Sequence, residues 1–90
     1  MERAIISVVG KDTVGIIAKV CTVFAENNVN ILDITQTILE GFFSMMMIVD
    51  VAQCSIGFSE LQDELKKAGD EKQVQINCQR EEIFTSMHRV

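Results

Sequence analysis

Two runs of alternating residues meet at Glu40-Gly41, and no other feature of the chain restricts its fold more tightly. Val29 to about Leu39 reads as one strand, and Phe42 to Val51 reads as the next. Glu40-Gly41 is the two-residue turn that folds one strand back on the other. If Leu39 faces Phe42, then Ile34 faces Met47 and Leu32 faces Val49. One side of this hairpin then collects Leu32, Ile34, Ile38, Phe43, Met45, Met47, Val49 and Val51, with Gln36 the lone exception. That side is the predicted core face. The other side carries Ile31, Asp33, Thr35, Thr37, Leu39, Phe42, Ser44, Met46, Ile48 and Asp50. It is half apolar, too apolar for a face left bare in water, so something is expected to cover it.

The segments around the hairpin complete the pattern. Ala4, Ile6 and Val8 alternate with Arg3, Ile5 and Ser7, which predicts a first strand. A glycine loop follows it. Ile16, Ile17, Val20, Cys21, Val23 and Phe24 then fall on one helical face, and Asn27-Asn28 closes that helix. Ser59 is expected to open a second helix, with Gln62 completing a capping box. Phe58, Leu61, Leu65 and Ala68 give that helix its apolar stripe, and Gly69 is expected to end it. Val74, Ile76 and Cys78 alternate with Gln73, Gln75, Asn77 and Gln79 in a fourth strand. The predicted order is strand, helix, strand, strand, helix, strand. This is the α+β, ferredoxin-like βαββαβ arrangement, a four-stranded antiparallel sheet with two helices on one face. The tail EEIFTSMHRV places Ile83, Phe84, Met87 and Val90 at helical spacing, which predicts a short C-terminal amphipathic helix over 81–90 lying on the second sheet face, of its own chain or a neighbour's.

Ninety residues make one small domain, 1–90, and a chain of that size buries only about 60–65% of the surface it exposes when unfolded. Association with a second chain is therefore expected. The net charge of −5, with eight scattered Lys and Arg, argues against a nucleic-acid partner, which needs clustered cations. It argues equally against an anionic membrane surface. No apolar run approaches the ~20 residues of a membrane span, and MERAIISVVG has no signal-peptide pattern. Cys21, Cys54 and Cys78 are odd in number and far apart, and His88 is the only histidine, so no zinc site, metal or other cofactor is predicted. Reduced, mostly buried thiols in a cytoplasmic protein are the expectation.

The glycine loop has few chemical readings. Gly10 and Gly15 have the spacing of the first half of a phosphate-binding loop, but Ile16 stands where its lysine belongs. No arginine lies in the loop for acyl-phosphate chemistry, and no cysteine pair for copper. His88 has no partners that would make a nucleophile–base arrangement, so no catalytic residue is predicted. Asp12, Asp33 and Asp50 are expected to accept hydrogen bonds in loops or interfaces, with Thr13 or Asp12 capping the helix. Met45 and Met47 are expected in the core, with Met46 facing away from it. What the loop does offer is a helix N-terminus, whose backbone N–H groups and positive dipole end suit a carboxylate.

GKDTVGIIAKVCTVFAENNVNILDI resembles the signature of ACT domains, small ferredoxin-like regulatory modules that bind amino acids. The family's loop, Asp-x-Pro-Gly-Leu/Ile-Leu/Ile, corresponds to Asp12, Thr13, Val14, Gly15, Ile16 and Ile17, with Val14 where proline is common. The strand opening Gly/Asn-Val-Asn-Ile corresponds to Asn28, Val29, Asn30 and Ile31. The tail is similar to the ending of stand-alone, single-domain ACT proteins of prokaryotes. The resemblance implies a homodimer or higher oligomer holding an amino acid at its interface. Asp12, Thr13, Val14, Gly15 and Ile16 would come from one chain, and Asn30 and Ile31 from the other. It implies a regulatory module, not an enzyme, controlling a protein in trans. The alternative is a ligand-free structural module that oligomerises or docks a protein partner.

Overall fold

The computed structural model describes residues 2–11 and 15–81. Its elements are β1 (Arg3–Lys11), α1 (Ile16–Glu26), β2 (Asn30–Leu39), β3 (Phe42–Asp50), α2 (Phe58–Lys72) and β4 (Val74–Arg80). The sheet order is β2-β3-β1-β4, every pairing is antiparallel, and the arrangement is the ferredoxin-like one predicted. Lys11, Leu39, Phe42 and Val74 mark one end of the sheet. Arg3, Asn30, Asp50 and Arg80 mark the other. The segment 82–90, where a terminal helix was predicted, lies outside the described residues.

The core forms where the helices cover the sheet. Ala4, Ile6 and Val8 of β1 and Phe43, Met45, Met47 and Val49 of β3 are buried against Val20, Phe24, Leu61 and Leu65. Met46 points to the opposite side and is exposed, as the alternation requires. On α1 the buried set is Ile16, Val20, Val23 and Phe24, while Ile17 is exposed and Cys21 half-buried, so the packed stripe is narrower than predicted. Glu40 and Gly41 both have positive φ, the hallmark of the tightest hairpin turn. Asn28 takes the left-handed conformation after α1, and the Asn27 side-chain amide donates to the Val23 carbonyl oxygen at 2.8 Å.

Further local expectations fail, each for a physical reason. The hairpin register holds from Leu39 to Asp33 but slips at a bulge, so Ile31 rather than Leu32 faces Val49. Ile31 therefore turns inward and packs on the core. Leu32, Ile34 and Ile38 are exposed instead of buried, because β2 is an edge strand that the two helices barely reach. Gly69 does not end α2. It is buried in the helix, where an added Cβ would stand 2.7 Å from the Val74 carbonyl oxygen, and Gln73, with φ of 58°, makes the left-handed exit. Ser59 does not open α2 either: Gly57 is its N-cap, and the Gln62 side chain donates at 2.7 Å to the Cys78 carbonyl oxygen of β4.

Candidate functional site

The corner where β1 passes into α1 is built by two glycines with different duties. Gly10 lies within β1, not in the loop, and an added Cβ would stand 2.8 Å from Val74 of the neighbouring strand. Its absent side chain lets β1 and β4 approach. Gly15 is the N-cap of α1, with φ of 86° and ψ of 3°, a left-handed conformation that side chains resist. It offers no side-chain acceptor to the helix, and the first turn of α1 holds no acidic residue. The N-terminal dipole end of the helix thus meets no carboxylate from its own first turn. Ile16, the next residue, is buried, so only its backbone is available to a ligand. Asp12, Thr13 and Val14 lie outside the described residues.

A cation stands beside this corner. The Lys72 Nζ lies 3.4 Å from the position a Gly15 Cβ would occupy. The topology explains it, because α2 runs back along the sheet and ends where α1 begins. Sequence patterning missed Lys72, although the predicted βαββαβ order already carries the end of the second helix to the start of the first. Nearby, Lys19 and Glu71 join the two helices through an exposed ion pair at 2.9 Å. Its hydrogen bond and charge hold the Glu71 carboxyl below the usual carboxylate range and the Lys19 ammonium above its own. Exposed pairs of this kind contribute little to stability.

Asn30 and Ile31 are not brought to this corner. They open β2 at the opposite end of the sheet, with Asn30 facing Asp50, and α1, roughly 16 Å long, spans the interval from Gly15. Within one chain the two halves of the predicted site are separate. The acidic candidates have structural duties: Asp50 Oδ1 accepts from the backbone N–H groups of Glu2 and Ala52, and Asp33 Oδ1 accepts from that of Ile34. Cys21, Cys54 and Cys78 are unpaired thiols, and burial pushes the Cys78 thiol up to about 12, where it is unreactive at neutral pH. Among the described residues no cluster of metal-ligating side chains occurs, and no helix is long and apolar enough to cross a membrane.

Comparison with known proteins agrees with this architecture. Residues 2–79 match the family model described as the ACT domain. A UPF0237 protein of Bifidobacterium longum is 58% identical over 90 residues, covering the whole of both chains. An ACT domain protein from Streptococcus pneumoniae superposes with a TM-score of 0.79 at 42% identity, covering 92% of this chain and 93% of that one. The regulatory subunit of aspartate kinase from Thermus thermophilus shares the fold at 22% identity, with a TM-score of 0.66 over 87% of this chain and 50% of its own.

Proposed function

Since the chain belongs to the ACT domain family, we propose that it is a regulatory module that binds an amino acid between two copies of itself. The observation that carries this reading is the Gly15 corner: a left-handed glycine at a helix N-terminus with a lysine ammonium beside it. A helix N-terminus and an ammonium together suit a carboxylate. Asp12, three residues before Gly15, supplies the charge that suits an α-ammonium group. Thr13, Val14 and the Ile16 backbone complete the cradle. The combination selects a zwitterion over a simple acid or amine.

The second chain supplies what one chain lacks. The outer edge of β2 pairs with no strand among the described residues, and Leu32, Ile34 and Ile38 are exposed along the same strand. Antiparallel pairing of two β2 edges would cover these side chains and extend the ladder. The same pairing carries Asn30 and Ile31 of each copy toward the Leu39 end of the other, the end at which β1 finishes and α1 begins. Asn30, which both donates and accepts, then serves both polar groups of the ligand. The module acts in trans on a protein partner, through the state of this dimer.

Thermal unfolding against single amino acids tests the reading. A ligand at about 100 times its dissociation constant adds roughly 2.7 kcal/mol, several degrees for a domain of this size. The binding amino acid is expected to lose most of its effect in Lys72→Gln and all of it in Gly15→Asp. A flat panel, or a shift unaltered in both variants, would favour the ligand-free module docking a protein partner.

A further inference from the structure

A cavity lies at the far end of the sheet from Gly15. Its volume is about 220 Å³, and it opens between the segment that leaves β3, the start of α2 and the end of β4. Val51, Cys54, Ile56, Phe58 and Leu61 form one side of it, and Glu2, Ala52 and Arg80 the other. Leu61 is fully buried, and Val51 nearly so. The remaining wall is set by an ordered cation. The Arg80 guanidinium stacks over the Phe58 ring with its carbon 4.4 Å from the centroid, and its Nη1 donates to Glu2 Oε1 at 3.0 Å. An enclosed cavity of about 150 Å³ already accommodates benzene, so this open and more polar one, at about 220 Å³, has room for a body of similar size.

From this combination we infer that the cavity is a separate binding site for a small monocarboxylate with a compact apolar body. The body lies against the partly exposed side chains of Cys54, Ile56 and Phe58. The carboxylate meets Arg80, whose planar fork is held by the Phe58 face and so loses little freedom on binding. Glu2 is the internal competitor. Its side chain is 59% exposed, and a surface pair of this kind is readily exchanged for a ligand carboxylate. Arg80 makes the site favour a carboxylate over an amine of the same shape. Gly15 and Lys72 lie at the other end of the sheet and take no part, so this inference stands or falls independently of the amino-acid site.

Isovalerate is the probe, and isoamylamine its cationic match. Titration of the isotope-labelled, full-length protein, followed by amide NMR, is expected to move the signals of 51–61 and Arg80 with isovalerate alone. Arg80→Gln should weaken that binding about tenfold or more, since a charge-assisted pair is lost. Glu2→Gln should tighten it by about twofold to fivefold, because the competing carboxylate is gone. Two variants of opposite sign separate recognition from damage to the fold. Gly15→Asp should leave the titration unchanged. Absence of localised shifts with isovalerate, an equal response to the amine, or affinity unmoved by both Arg80→Gln and Glu2→Gln would overturn the site.

Discussion

The two edges of the sheet have opposite characters. β2 is long, carries Leu32, Ile34 and Ile38 exposed on its flank, and runs beyond the cover of the helices. β4 is shorter, alternates Gln75, Asn77 and Gln79 with its apolar residues, and lies under α2. Its backbone is also partly occupied from outside, because Gln62 donates to the Cys78 carbonyl oxygen. An edge strand is a template for another chain unless something blunts it. Here α2 and Gln62 blunt β4, and only a bulge near Leu32 interrupts β2. The contrast teaches that the two edges of one small sheet can differ, with the outer side of β2 unpaired among the described residues and β4 engaged by its own chain through Gln62.

Placing a charge on the open edge is the most severe way to break that contrast. Ile34→Lys sets an ammonium on the flank of β2, which the proposed dimer buries, and should weaken self-association by about a hundredfold or more. Gln75→Lys makes a comparable change on the other edge strand and should leave association unaltered. Sedimentation equilibrium of the two variants checks both. Equal loss in both, or in neither, would show that β2 is not the assembly edge.

Sequence patterning gave the topology well, for a reason particular residues make plain. Alternation in Phe43, Met45, Met47 and Val49 and the Glu40-Gly41 turn are local signals, and the structure keeps both. Burial of Leu32, Ile34 and Ile38 was misread because alternation reports which face a residue is on, not whether a helix lies over that face. The bulge that turns Ile31 inward leaves no mark in the residue pattern. Gly69 reads as punctuation in the sequence, yet its role depends on the Val74 carbonyl oxygen, brought against it when the chain turns back at Gln73. At the candidate site, Gly15 was legible from the loop motif. Lys72 was not, because its nearness to Gly15 is created by the return of α2 along the sheet.

The closed edge can be pried open in a graded way. Gly69→Ala adds a methyl group against the Val74 carbonyl oxygen at 2.7 Å and the Ile76 side chain at 3.2 Å. Neither neighbour yields cheaply, since one is backbone and the other is packed under α2. The helix must lift from β4, at a cost of about 1–3 kcal/mol typical of overpacking. Chemical denaturation should show a lower midpoint, and hydrogen exchange should quicken in β4 before β2. A neutral or stabilising Gly69→Ala would mean that α2 is not seated on β4 as tightly as the contacts imply.

Gln62→Ala is the mildest and the most selective of these changes. It removes a hydrogen bond of 2.7 Å from a partly buried carbonyl oxygen without touching the core, so the expected loss is about 1 kcal/mol. The informative readout is association. With Gln62 gone, Cys78 presents an uncovered acceptor on the outer side of β4, and that edge begins to resemble β2. If the side chain is what keeps β4 from pairing, the variant should form species larger than the proposed β2-linked dimer as its concentration rises, and Ile34→Lys should not suppress the new contact. If Gln62→Ala loses its 1 kcal/mol and gains no new association, the polar residues Gln75, Asn77 and Gln79 suffice to keep the edge solvated. The difference between the two edges would then lie in composition rather than in a blocking side chain.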